Sequence, residues 1–193
     1  MIIRPYQQSD LMAITELHKA SFQRYCNKAG YQRLTDDIRE AIKIGTVMVA
    51  YEETIFQGFC CTTSISRSPS NRAYVADRIF ESRTDTKPTK AKIKKLLPKS
   101  RPTVVQYRHD FGMIVPSDVY INSIAVKQKK TGIGSKLLSA AMTRHIGSRC
   151  FASCISGSGS LELFLKHGFQ QIISLSPAYH SGQTMTFVGK TNI

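Results

Sequence analysis

One stretch, VYINSIAVKQKKTGIGSKLLSAAM from Val119 to Met142, limits the folds open to this 193-residue chain, because a buried strand has to run through a basic, glycine-bearing turn into a helix. Val119, Tyr120, Ile121, Ile124, Ala125 and Val126 are mostly β-branched or aromatic, and Pro116 and a charged run bound them, which predicts the strand. Ile133, Leu137, Ala140, Ala141 and Met142 recur at three- and four-residue steps, which predicts the helix, with Gly147 as its stop. Between the two, Gly132 and Gly134 let main chain approach a ligand without side-chain obstruction, and the orphan N–H groups of the first helical turn point outward. An anion placed there meets donors and the positive end of the helix dipole.

Two common phosphate loops do not fit. A Walker loop needs Lys-Ser/Thr directly after its second glycine, whereas Gly134 is followed by Ser135 and then Lys136. A dinucleotide fingerprint needs a third glycine where Leu137 stands, and it usually sits in the first strand–helix unit rather than this late in the chain. Further on, SGSGSLELFLKHGFQQIISL joins a small-residue loop to a short helix marked by Leu161, Phe164 and Leu165, a stop at Gly168 and a strand from Phe169 to Leu175. Together, IAV leading into a Gly-x-Gly helix start and the Lys-x-Gly-Phe ending at Lys166 to Phe169 resemble the GNAT superfamily of N-acetyltransferases. The resemblance rests directly on residues from about 117 to 175.

The rest of the chain is compatible with one domain spanning 1–193. MIIRPY reads as an opening strand, and Ser9 or Asp10 as the cap of a helix with Leu11, Ile14 and Leu17 on its apolar stripe. A second helix is expected from Thr35 to Ile44, then a hairpin from TVMVAYEE and TIFQGFCCTTSIS, and a last strand from Thr184 to Gly189. The resemblance implies an α/β (mixed α+β) fold of GNAT type: a central mixed, mostly antiparallel sheet, splayed at its central strands and flanked by helices. With 41% hydrophobic residues the chain can bury one good core.

Charge adds a second signal. Lys and Arg number 27 against 13 Asp and Glu, a formal +14, and many of the cations fall between Arg67 and Arg108. That region forms an insertion, at about 66–112, where the family usually has a short turn. Within it Pro88 and Pro98 bracket TKAKIKKLL, which has the pattern of a short basic helix. The insertion reads either as a solvated surface excursion or as a docking surface for RNA or an acidic protein. Only three apolar residues precede Arg4 and no apolar run nears membrane-spanning length, so a cytoplasmic protein without a membrane segment is expected. Cys26, Cys60, Cys61, Cys150 and Cys154 lack zinc spacing and read as buried free thiols, with no metal site expected.

The resemblance also assigns chemistry to residues. Acetyl-CoA, as cosubstrate, would lie where two parallel strands splay, its pantetheine arm pairing with main chain of Ile124, Ala125 and Val126. N–H groups from Lys130 through Thr131, Gly132, Ile133, Gly134 and Ser135 would cradle the pyrophosphate, with Lys129, Lys130 and Lys136 adding charge. A primary amine would attack the thioester directly in a ternary complex, and a strand N–H at Val126 or its neighbour would face the oxyanion. Two departures from the family pattern stand out. Only Lys127 to Thr131 separate Val126 from Gly132, a tighter turn that carries Lys129 where Arg or Gln is usual. Phe164 stands where a tyrosine often protonates the departing thiolate, a role worth about 10²- to 10⁴-fold.

Tyr120 and Asn122 share a face of the cofactor strand and are the catalytic candidates, although Tyr120 also suits core packing. Asp118, Glu52, Glu53 and Glu162 are bases by chemistry alone, and His18, His109, His145, His167 and His180 show no ligand spacing, His167 reading as the solvent-facing end of its helix. The implied function is acetyl transfer to an amine on a protein, a peptide, an amino-acid-like molecule or RNA. Two rivals stand beside it: an acyl-CoA-binding sensor or interaction module of GNAT fold with little or no turnover, and a nucleic-acid-binding domain without CoA affinity.

Overall fold

The hairpin VMVAYE and IFQGFCCTTS carries apolar residues on both faces, so each strand needs helices above and below it. The computed structural model describes residues 1–23, 28–44, 46–83, 105–108, 110–175 and 184–191, and it supplies those layers. The chain runs β1 (Ile2–Pro5), α1 (Leu11–Phe22), α2 (Lys28–Lys43), β2 (Val47–Glu52), β3 (Ile55–Ser64), α3 (Pro69–Arg83), β4 (Val105–Gln106) and β5 (Val119–Val126). It continues through α4 (Ile133–Thr143), β6 (Arg149–Ile155), α5 (Gly159–Lys166), β7 (Gln170–Leu175) and β8 (Met185–Thr191). The described strands form one sheet in the order β1-β2-β3-β5-β6-β8-β7-β4. Every neighbouring pair is antiparallel except β5 and β6, which α4 joins as a parallel crossover. This is the mixed, mostly antiparallel sheet with flanking helices that the resemblance implied.

Three apolar clusters hold the layers together. On one face α4 and α5 bury Leu137, Leu138, Leu161 and Phe164 against Cys60, Ile121, Cys150 and Val188. On the other, α1 and α2 set Ile14, Ile38 and Ala41 over Val49, Phe59 and Cys61, while α3 sets Val75 and Ile79 over Tyr120, Phe151 and Phe187. Fully burying an aliphatic or aromatic side chain contributes about 1.5–3 kcal/mol, so α3 is anchored as firmly as the predicted helices.

That helix corrects the expectation of a solvated excursion for the first part of the insertion. Its start was readable: Ser68 precedes Pro69 at the first helical position and its Oγ accepts the Asn71 N–H at 3.4 Å. The basic segment TKAKIKKLL lies outside the described residues. Other expectations shift locally. The second helix begins at Lys28 rather than Thr35, and α4 ends at Thr143, with Gly147 (φ +80°) in the turn that follows. Leu11 and Leu165 are exposed, because the buried stripes run through Ile14 and His18 in α1 and through Leu161 and Phe164 in α5. Asp10 makes no cap on α1. Its buried carboxylate accepts from both Arg4 Nη atoms at 2.8 Å, from Gln7 N–H at 2.7 Å and from Tyr51 Oη at 2.8 Å, pinning β1 and β2 to the start of the helix.

Candidate active site

The site begins where two strands part. β5 and β6 stay paired only from Val119 opposite Cys150 to Ile121 opposite Ala152. Beyond that fork β6 follows β8 as far as Ile155, and β5 follows β3 as far as Val126. Lys127 donates its N–H to Gln57 O at 2.8 Å, on the β3 side. Backbone polar groups alternate between the two edges of a strand, so Ala125 also faces β3, and Ile124 and Val126 turn N–H and C=O towards the edge that β6 has left.

A bulge lies at the fork. Cys61 pairs with Ser123 but Thr62 with Ile121, so Asn122 is the extra residue on β5. The alternation therefore flips: Val119 and Ile121 share the α4–α5 face with Ile124 and Val126, while Tyr120 and Ala125 face the other way. Sequence reasoning put Tyr120 and Asn122 on one face by simple alternation, and the bulge intervenes at Asn122 itself. Asn122 Oδ1 accepts from Thr63 Oγ1 at 2.7 Å.

Through the fork passes a groove of about 920 Å³, lined by Asn122 to Val126 of β5 and by Ser153, Cys154 and Ile155 of β6. It reaches both faces of the sheet. On one face it meets the turn after β5, the start of α4, and Glu162, Leu163, Phe164 and Lys166 of α5; on the other it meets Leu17 and Phe22 of α1 and Asn71 and Tyr74 of α3. In the turn, Lys130 (φ 63°) and Gly132 (φ +81°) are left-handed. A Cβ at Gly132 meets nothing within 4 Å, so the demand for glycine there is conformational. Lys136 N–H to Gly132 O, 3.1 Å, closes the first turn of α4, which leaves the N–H groups of Ile133, Gly134 and Ser135 ahead of the helical ladder.

No protein-family model matches the chain, and no curated protein does. Solved structures do. A GNAT-family acetyltransferase from Bacillus cereus superposes with a TM-score of 0.57 at 12% identity, covering 100% of this chain and 97% of that one. Naa50 of Arabidopsis thaliana, in complex with the bisubstrate analogue CoA-Ac-MVNAL, gives 0.58 at 15% identity over 98% and 97%. The yncA protein of Salmonella typhimurium, with its cofactor acetyl-CoA, gives 0.56 at 16% identity over 100% and 94%. The fold is that of the GNAT acetyltransferases.

On this GNAT fold most of the candidate residues line one groove: Tyr120, Asn122, Ile124, Ala125, Val126, Lys129, Lys130, Thr131, Gly132, Gly134, Ser135 and Phe164. Ile133 does not, because its side chain packs into the core at 7% exposure, and neither does Lys136, which is exposed. Phe164 is buried against Phe169, ring centroids 5.0 Å apart. Of the carboxylates, Asp118 is buried in a two-point bridge to Arg149, 2.8 and 2.6 Å, and accepts Val115 N–H at 2.8 Å, away from the groove. Glu52 and Glu53 stand at the β2–β3 hairpin, while Glu162 lines the groove.

His167 is half-buried rather than a solvent-facing helix end. Its Nε2 is 2.5 Å from Ser135 Oγ, tying the end of α5 to the start of α4, and burial together with Lys190 and Lys166 lowers its pKa. His145 Nε2 lies 2.9 Å from Thr62 Oγ1. His109 and His180 lie outside the described residues, as does Cys26. Cys60, Cys61, Cys150 and Cys154 are buried free thiols. Cys154 lines the groove, and burial pushes its pKa up to about 12, so it is a thiol rather than a nucleophilic thiolate.

Sequence reasoning missed the wall supplied by α1 and α3. Tyr74 there lies 2.8 Å, hydroxyl to hydroxyl, from Ser153, and its ring meets Tyr120 edge-on with centroids 5.7 Å apart. Asn71 and Tyr74 are three apart on α3, a spacing that puts both on one side of the helix once the Ser68-Pro69 start is recognised.

Proposed function

We propose that the chain is an N-acetyltransferase that moves an acetyl group from acetyl-CoA to a primary amine by direct attack. The observation that carries this reading is the fork between β5 and β6, continuous with the left-handed turn and the open first turn of α4. The residues present fit acetyl-CoA. Ile124 and Val126 offer a strand edge to an extended amide-bearing arm, the N–H groups from Gly132 to Ser135 offer donors to a pyrophosphate, and Lys127, Lys129 and Lys130 supply cations beside them. The volume is within the range of ligand sites. When bound, acetyl-CoA supplies the activated acyl carbonyl.

The chain's own residues divide the remaining work. Asn122 and Tyr120 orient the acceptor at the fork, and the N–H of Val126 or its neighbour faces the developing oxyanion. Phe164 has no proton to give, so protonation of the sulfur falls to water or to another residue of the groove. The Tyr74–Ser153 pair fits that role: Ser153 is one residue past the last β5–β6 pair, and both hydroxyls belong to groove-lining residues.

A thiol-release assay with acetyl-CoA and a broad panel of amines tests the reading, alongside a thermal shift with CoA. Stabilisation by CoA together with amine-dependent thiol release is the expected result. Stabilisation without turnover on any amine would favour a binding module of the same fold, the reading that Phe164 and the basic insertion support. No stabilisation by CoA would sink both.

A further inference from the structure

Five buried side-chain polar atoms among the described residues have no hydrogen-bond partner: His18 Nε2, Asn71 Nδ2, Arg78 Nε, Asn122 Nδ2 and Ser123 Oγ. Asn71, Asn122 and Ser123, three of those five, line the groove at the fork. A buried donor left without an acceptor costs about 1–3 kcal/mol, so such a concentration marks the place where a ligand completes the bonding. Asn71 is 2% exposed and Ser123 5%. Asn122 already spends its Oδ1 on Thr63, which leaves its amide N–H groups, donors only. Two amide donors and a hydroxyl call for oxygen atoms on the incoming molecule.

The charge of the surroundings narrows the kind of oxygen. Among the described residues, Lys127, Lys129, Lys130, Glu162 and Lys166 are the charged residues of the lining, and all belong to the turn after β5 or to α5. The opposite wall, from α1, α3 and β6, presents Leu17, Phe22, Asn71, Tyr74 and Ser153 and, among the described residues, no charge. A carboxylate held there would be desolvated without a cation, whereas a carbonyl is served by neutral donors. Asn122 stands at the fork itself, so an oxygen bonded to it lies close to the nitrogen that meets the thioester.

We infer that the acceptor carries a neutral carbonyl adjacent to its amine, an α-amino amide such as the amino end of a peptide, held by Asn71 and Asn122 with Ser123. The inference rests on the acetyltransferase reading for the identity of the reacting group. It separates this class from amines that lack a neighbouring carbonyl and from free amino acids.

The test compares alaninamide, alanine and sec-butylamine as acceptors for thiol release, and titrates alaninamide calorimetrically into the CoA-saturated chain. The expected result is a preference for alaninamide of about tenfold or more in kcat/KM over both others, with calorimetric binding. In Asn71→Ala that preference collapses and the binding heat is lost, while CoA still stabilises the chain, which shows that it is folded. Ser123→Ala provides a second variant, with the same direction of effect. Equal use of the three amines, or a preference and binding heat untouched in both variants, would overturn the inference. Binding of alaninamide that depends on Asn71, without turnover on any amine, would support the site and remove the acetyltransferase reading. Absence of alaninamide binding in the wild-type chain would overturn the site whether or not other amines are acetylated.

Discussion

His18 carries an ionisable ring on the buried side of α1, stacked on Tyr31 at 5.6 Å and tilted against Phe22 at 4.9 Å. Burial alone pushes its pKa down from 6.5 to about 4, so the folded chain keeps the imidazole neutral. Below pH 6.5 the unfolded chain binds that proton more readily than the folded one, so this contribution to stability is whole above pH 6.5 and is lost as pH falls towards 4. The loss amounts to roughly 3 kcal/mol. Thermal melts across this window should show a falling Tm, with a shallower fall in His18→Phe; parallel slopes in the two proteins would remove His18 as the cause. At the same scale, Tyr74→Phe removes the hydroxyl beside Ser153 and should lower kcat about 100-fold while leaving the CoA thermal shift intact. An unchanged kcat would make Tyr74 a wall residue only.

The bulge on β5 decides which side chains face α4 and α5 and which face the opposite side of the sheet. Deleting Asn122 restores unbroken alternation and turns Ser123 to Val126 over, carrying Ile124 and Val126 out from under α4 and α5. The deletion should abolish cooperative unfolding and the CoA thermal shift together, whereas Asn122→Ala, which keeps the residue count, should keep a cooperative melt. Neither the bulge nor its consequence was legible in the sequence, because it is a property of the register between β3 and β5. By contrast, the strand from Val119 to Val126, the helix from Ile133 and the glycine turn were legible, since β-branched runs, helical spacing and glycine each act over a few residues. α3 was obscured by its own composition: Arg72, Arg78 and Arg83 drew attention to charge, and only Val75 and Ile79, four apart, mark the buried face. The contacts that bring Tyr74 to the groove are with Tyr120 of β5 and Ser153 of β6, the latter 79 residues away along the chain.

At the scale of the whole molecule, the +14 charge has a local expression in Lys127, Lys129, Lys130 and Lys166 on one mouth of the groove. CoA affinity should weaken with salt, by roughly tenfold between low and high ionic strength, and less steeply in Lys129→Ala and Lys130→Ala. A salt-independent Kd would place the phosphates elsewhere. The groove that traverses the sheet has a kinetic consequence. If each reactant enters by its own mouth, neither bars the other's exit, and spent CoA departs without first displacing the acetylated product. Initial-rate plots against both substrates should then intersect rather than run parallel, and CoA should inhibit competitively against acetyl-CoA but not against the amine. The parting of two strands would thus be visible in a steady-state experiment, as independent traffic through opposite sides of one sheet.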